Sequence, residues 1–335
     1  MPPPRSDGTV RTVLRAWRRF TGGAGVRDGA RRTLVACSGG ADSSALLLAL
    51  ASVSSPPEVC HVVHDLRPED EAERDAERTG ALCASLGVRF HRVPIRVARA
   101  GGNAEGAARR LRYAALERIA RERGIRFIAT GHHADDQLET VLMRLLRGAG
   151  ARGVAGIRET RVLGDGVTVV RPMLGVTHAD AEALCARCGW AWNRDATNAD
   201  TTRLRAALRA GVLPALRAVE PDAARRVSRS AASLASASDA VDAWAASVLA
   251  DADKPDGRVV IQTEKFVYLP SGVLASLIVQ IYDLIVGETG RDRLSRQQIT
   301  TCIGGVLSTS SGSWRFELAE MSLRVCEGRV EFCKK

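Results

Sequence analysis

Ser38-Gly39-Gly40-Ala41-Asp42-Ser43 brings hydroxyls, a carboxylate and two glycines together directly after the apolar run Leu34–Cys37. Glycine lets the backbone turn sharply and approach a ligand, and a helix starting near Asp42 would aim unpaired N–H groups at negative charge. The expected ligand is therefore a phosphate chain. Ser38, Ser43 and Ser44 supply hydroxyl donors, and Asp42 stands where a Mg²⁺ bridging phosphate oxygens takes a carboxylate. No Lys follows the glycines, so the GxxxxGK[ST] phosphate loop is excluded. A bare Ser-Gly-Gly also serves as a packing joint between strand and helix. The whole hexapeptide after a strand favours phosphate binding.

Gly131-His-His-Ala-Asp-Asp-Gln-Leu-Glu-Thr140 is the second run with chemical content. His132, Asp136 and Glu139 have the spacing of one helical face, and two carboxylates there suit a cation, either a metal or an amine. The HxxxD spacing lacks a third zinc ligand, and acids also gather at helix starts because the dipole favours them. Arg109 and Arg112 form a candidate clamp for phosphate or carboxylate. His64-Asp-Leu-Arg67 is expected to close a strand, with His64 as a polar cap.

The elements that must position these residues alternate between strand and helix, the mark of a parallel α/β sheet. Strands are expected at 32–37, 58–64, 88–94, 125–130 and 167–171, with helices at 43–52, 69–86, 103–123, 134–147 and 179–188. Gly87, Gly124 and Gly148 stop three of the helices. Ligands of such sheets bind at the carboxyl ends of the strands, where all four motifs fall. Residues 201–250 read as helical, and 258–335 as a mixed unit with strands at 259–263 and 325–332, a helix at 272–286 and a turn at 308–313. The fold class is thus α/β, a doubly wound, mostly parallel sheet, followed by a smaller helix-rich α+β domain. The expected divisions are a basic segment 1–30, a phosphate-binding α/β domain 31–210 and a helical and mixed domain 211–335.

With 335 residues, 45 % of them apolar and 26 % charged, the chain can bury a sizeable core. It has no apolar run long enough to cross a membrane. Met1-Pro-Pro-Pro-Arg-Ser-Asp7 lacks the pattern of a secretory signal, and the eight cysteines are scattered, so reduced thiols and a cytoplasmic location are expected. The net charge of +10 makes nucleic acid the first partner to consider. Lys occurs only at 254, 265, 334 and 335, so part of the arginine excess reflects coding bias rather than function. Arginine concentrates in residues 1–32 and again at Arg203, Arg205, Arg209, Arg217, Arg225, Arg226 and Arg229, runs that solvated helix faces also explain.

Taken together, these residues resemble the tRNA(Ile)-lysidine synthetase family of PP-loop ATP pyrophosphatases. The resemblance runs through Ser38–Ser43, His64–Arg67, Asn103 and Glu105 with Arg109, Arg112 and Tyr113, and the Gly131–Thr140 run. It continues through Arg144–Gly148 with Gly150 and Gly153, Arg171-Pro172, Asp195-x-Thr197-Asn198 and Leu213-Pro214, strongest over about 31–215. It implies adenylation of O2 of the wobble cytidine in a tRNA(Ile) with a CAU anticodon, then attack of the ε-amine of L-lysine on C2. ATP and Mg²⁺ are the implied cofactors, held by Ser38, Gly39, Gly40, Ala41, Asp42 and Ser43. The implied catalytic residues are Asp42, Asp136 and His132, and the implied substrate-binding residues Arg109, Arg112, Asp136, Glu139, Arg205 and Arg209. Where the family carries Arg-Asn-x-x-Arg, this chain has Arg205-Ala206-Ala-Leu-Arg209. The C-terminal tRNA-binding domain of longer members is not expected, so the helices after residue 210 and the basic segments would supply RNA affinity. No membrane partner is expected, and a homodimer stays open. The rival readings are a PP-loop tRNA thiolase, for which Cys185-Ala-Arg-Cys188 is the only cysteine pair to weigh, and a non-catalytic RNA-binding protein.

Overall fold

The computed structural model describes residues 2–65, 68–97, 104–192, 204–287, 294–308, 314–318, 320–326 and 328–335. The chain packs as two units, Met1–Ala235 and Ser236–Lys335.

In the first unit, helix α1 (Gly8–Phe20) precedes β1 (Thr33–Ala36), α2 (Ala41–Ala51), β2 (Glu58–His64), α3 (Glu69–Leu86), β3 (Phe90–Ile95), α4 (Ala104–Glu122) and β4 (Phe127–Thr130). There follow α5 (Ala134–Leu146), α6 (Ala151–Val154), β5 (Thr160–Val162), β6 (Thr168–Val170) and α7 (His178–Arg187). A short α8 (Leu204–Ala207), a π-turn Leu208–Val212 and α9 (Leu213–Val219) lead into α10 (Ala223–Ala250). The six strands run β3-β2-β1-β4-β6-β5, all parallel except β5. The strand order reverses between β1 and β4, which leaves a crevice at their carboxyl ends.

Alternation along each strand separates two cores. Val35, Val59, Ala129 and Val170 pack with α1, α2 and α7, whereas Leu34, Cys60, Ile128 and Val169 pack with α4. Helix α2 is apolar nearly all round because α1 and α7 cover it, and Leu46, Leu47 and Leu48 are all buried. Gly87 ends α3 at φ 64°, a left-handed conformation that costs glycine nothing.

The N-terminal arginine-rich segment is not a basic arm. Asp7 caps α1, whose Val10, Val13, Leu14 and Trp17 are buried in the sheet core. Three of the segment's arginines are engaged within the unit, Arg18 with Asp28 at 2.6 Å, Arg19 with Glu159 at 2.5 Å, and buried Arg31 with the carbonyls of Arg18, Gly23 and Val26, while Arg11 and Arg15 are exposed. The expected boundary near residue 210 falls inside the first unit, because Arg205, Arg209 and Arg217 are ion-paired to carboxylates of α5.

The second unit has its own core beneath an antiparallel sheet ordered β7 (Val259–Gln262), β10 (Arg329–Lys334), β9 (Met321–Cys326), β8 (Trp314–Leu318). Helices α11 (Thr263–Val267), α12 (Ser271–Val286) and α13 (Arg296–Ser308) complete it. The single strand expected at 325–332 is instead split between the end of β9 and most of β10, which pair antiparallel with Gly328 at φ 75° between them.

Trp17 is 2 % exposed and its indole N–H donates to Thr33 Oγ1 at 3.0 Å. Trp17→Ala is expected to destabilise the first unit by about 3–5 kcal/mol in urea unfolding, the usual range for an emptied large aromatic site. A loss within measurement error would contradict the packing of α1 into this core.

Candidate functional site

The loop between β1 and α2 is held by its own hydroxyls. Ser43 Oγ donates to Gly40 O at 3.2 Å and accepts from the Ser38 N–H at 3.1 Å, and Ser38 Oγ lies 3.2 Å away. Gly39 turns the chain at φ 86°, and Gly40 is the N-cap of α2. From below, buried His61 on β2 places Nδ1 2.9 Å from Cys37 O. Burial lowers the His61 pKa, so the ring is neutral and its Nδ1–H donates to that carbonyl.

A cleft of about 900 Å³ opens over this loop. Its lining includes Ser38, Gly40, Asp42 and Ser43 of the loop, His64 of β2, Arg109, Arg112 and Tyr113 of α4, and His132, Asp136 and Arg205. Ten sequence-selected residues thus share one cavity with His64. Gly39 and Ala41 belong to the loop backbone. Arg67, Asn103, Asp195 and Asn198 lie outside the described residues.

His132, Asp136 and Glu139 do not share a helical face. Helix α5 begins at Ala134 with His133 as N-cap, and Asp136 turns back to accept the His133 N–H at 3.2 Å, so His132 sits on extended chain before the helix. His132 Nδ1 stands 2.9 Å from Thr130 Oγ1. Burial drives its pKa down to about 4, against the opposing charge of Asp136, so it is a neutral imidazole at physiological pH.

Glu139 is 3 % exposed and is not among the cleft-lining residues. Its carboxylate accepts from Arg205 Nε at 2.9 Å and Arg209 Nε at 2.5 Å, and both guanidiniums also lie within 4 Å of Asp136. Of the two carboxylates expected to hold a cation, Glu139 is therefore already met by two cations of this chain, while Asp136 stays on the cleft wall with both guanidiniums more distant. The same pairing removes much of the 203–229 arginine run from the pool available to RNA. Arg217 binds Asp135 at 2.8 Å, and Arg225 binds Asp180 and Asp222 at 2.6 and 2.7 Å.

Three residues at the site escaped sequence reasoning. His133 faces Asp42, Asp135 and Asp136 at 3.5–3.6 Å, and His178 Nδ1 lies 2.9 Å from Asp42 Oδ1. Burial pulls the His133 pKa down, but the three carboxylates overrule it and raise it to about 9. Buried Asp135 accepts the His178 backbone N–H at 2.7 Å, and although burial opposes its ionisation, His133, that N–H and Arg217 hold it well below the usual carboxylate range. His133 and Asp135 were within the Gly131–Thr140 run. Nothing in local spacing could single out His178, which is 136 residues from its partner Asp42.

A family model described as a PP-loop domain matches residues 13–216. A tRNA(Ile)-lysidine synthase of Bordetella pertussis is 41 % identical over 220 residues, covering 63 % of this chain and 67 % of that protein. The chain belongs to the PP-loop family, and to the tRNA(Ile)-lysidine synthases within it. Its relative of that name from Pseudomonas syringae pv. tomato is 40 % identical over 225 residues, or 65 % of this chain and 49 % of that protein. The one from Deinococcus deserti is 36 % identical over 296 residues, or 85 % and 53 %. The chain thus spans about half the length of two of these PP-loop relatives and two thirds of the other. Among solved structures, the U34-tRNA thiolase NcsA from Methanococcus maripaludis with its [4Fe-4S] cluster aligns at a TM-score of 0.54 over 68 % of this chain and 78 % of that chain. At 16 % identity that likeness speaks to the fold alone.

Burial disfavours the reactive thiolate at most cysteines of this PP-loop unit, and partial burial raises the Cys188 pKa as well. Burial pushes Cys60, Cys83 and Cys185 up to about 12, and Cys185 Sγ packs 3.5 Å from Ala41 O. Iodoacetamide at neutral pH is therefore expected to leave these three unlabelled in the folded protein and to label them after urea, read by peptide mass spectrometry. Labelling of folded Cys185 at the rate of a free thiol would reopen the thiolase reading.

Proposed function

We propose that this chain joins L-lysine to C2 of the wobble cytidine in a tRNA(Ile) with a CAU anticodon, at the expense of ATP. The observation that carries the reading is the Ser43-closed loop at the N-terminus of α2, opening into a cleft that Arg109, Arg112, His132 and Asp136 also line. The shared name of its relatives supports the choice of substrate.

The free N–H groups of the first turn of α2, with the Ser38 hydroxyl, face the phosphates of ATP and stabilise charge that develops on pyrophosphate. Asp42, at the rim of the same cleft, is the carboxylate that would hold Mg²⁺, with the phosphates supplying most of its oxygen ligands. When bound, that ion neutralises charge on the phosphate chain. Cytidine O2 attacks the α-phosphorus, the bond to the β-phosphate oxygen breaks, and pyrophosphate leaves. The ε-amine of lysine, having given up its proton, attacks C2, and AMP departs with the electron pair of the C2–O2 bond.

Asp136 is the carboxylate in the cleft for the lysine ammonium. His132, held neutral by its burial, lines the same cleft as an uncharged hydrogen-bonding group for substrate. Arg109 and Arg112 suit the anionic groups of substrate. Arg109 is steadied by stacking over Tyr113, 5.3 Å from the ring centroid. Arg205 and Arg209 hold Glu139 and so shape the wall beside Asp136, which makes their effect on substrate one of positioning.

Purified protein, tRNA(Ile) transcript, ATP, Mg²⁺ and labelled lysine test the reading together. Lysine is expected to enter the tRNA only when the wobble base is cytidine. Incorporation should fall by at least about a hundredfold in Asp42→Ala, in line with the loss of one key transition-state interaction. No incorporation by the folded wild-type protein would sink the proposal, and sulfur incorporation instead would favour thiolation.

A further inference from the structure

Asp42, His133 and His178 come from three different elements, and each presents a ligand atom within 4.8 Å of the others. Asp42 Oδ1 lies 2.9 Å from His178 Nδ1, and Asp42 Oδ2 lies 3.6 Å from His133 Nε2. Two ligand atoms each about 2.0–2.1 Å from a tetrahedral ion stand roughly 3.3–3.4 Å apart, so small side-chain adjustments bring this set around one ion. From this geometry we infer that Asp42, His133 and His178 form a binding site for a borderline divalent transition-metal ion of the Mn²⁺, Co²⁺ or Zn²⁺ class.

The surroundings add to these ion-pair contacts the supports that a metal site uses. Asp135 Oδ2 faces His133 Nδ1 at 3.5 Å, which directs Nε2 toward Asp42. The same carboxylate accepts the backbone N–H of His178 at 2.7 Å and is itself held by Arg217 at 2.8 Å. One buried acid thus orients the first imidazole and anchors the chain that bears the second, the arrangement that fixes histidine ligands on metals. Glu182 lies 3.6 Å from His178 Nε2 and bears on the second ring in the same way. The two rings are 5.5 Å apart with 35° between their planes. His133 is buried whereas His178 is half open to solvent, which leaves one side of the ion free for a further ligand.

Donor chemistry selects the class of ion. Mg²⁺ prefers an all-oxygen octahedron and usually keeps several waters, whereas two imidazoles and one carboxylate suit later, softer ions. The site shares Asp42 with the proposed ATP-binding loop, so an ion here would adjoin the phosphate cradle. It rests on no assumption about lysine or tRNA.

The test is a Co²⁺ titration of the full chain after chelator treatment, followed by its visible d–d absorption, with calorimetry using Zn²⁺ in parallel. We expect one ion per chain, an absorption stronger than that of aqueous Co²⁺, and no displacement by excess Mg²⁺. His178→Gln changes a half-exposed residue and should leave the circular dichroism spectrum unchanged. It should nonetheless weaken binding by about tenfold or more. Absence of binding, equal affinity in His178→Gln, displacement by Mg²⁺, or a thiolate-to-cobalt charge-transfer band would each overturn the assignment. Neither tRNA nor lysine enters this measurement, so its failure is distinct from a failure of the proposed lysine transfer.

Discussion

Strands β1 and β4 lie side by side and end at the same edge, and Gly131 at the end of β4 comes hard against the first turn of α2. A Cβ at that position would stand 3.0 Å from the Ser43 backbone nitrogen and 3.1 Å from the Asp42 carbonyl carbon. The neighbours are backbone atoms, so a side chain here would push the phosphate loop and the Gly131–Thr140 run apart by a few tenths of an ångström, and glycine is what lets them adjoin this closely. Everything else at the site follows from that approach. It puts His133 beside Asp42, directs Asp136 and His132 into the same cleft, and leaves α7 to bring His178 against Asp42 from the other side.

Around this junction the first unit behaves as an electrostatic assembly as much as an apolar one. Asp135, Glu139 and Asp180 are each met by arginines from the segment 205–225, and Asp7 at the start of α1 accepts from Arg187 of α7 at 2.8 Å. Buried charges are tolerated only when paired, so these arginines fix the helices after residue 204 onto the sheet. A chain with net charge +10 thereby commits a good part of its basic side chains to its own carboxylates. The net charge already counts those carboxylates, so the pairing decides which basic side chains are committed to the fold rather than how much positive charge remains.

The second unit has a separate core, in which Phe266 and Phe332 meet at 6.4 Å between ring centroids. Its hairpin sheet was only partly legible, because short β-strands joined by tight turns give weak periodicity. The 325–332 run reads as one strand until Gly328 at positive φ divides it. Among the described residues no helix is long and apolar enough to cross a membrane.

By itself the sequence determined the parallel α/β architecture, with strand β2 and helix α3 expected at their observed bounds, and the residues of the phosphate loop. Both are local properties: alternation, helical period, and glycines at a strand–helix turn depend only on neighbours in the chain. Tertiary structure alone decided which charges cancel. Glu139 reads in sequence as half of a cation pocket, and the fold lays Arg205 and Arg209 on it; the basic segment 1–30 carries in α1 an apolar face, Val13 and Trp17, that packs into the core. His178 had no signal at all, because its role comes from the approach of α7 to α2 and not from any spacing along the chain. Pairing over more than a hundred residues is a property of packing, and one sequence carries no periodic trace of it.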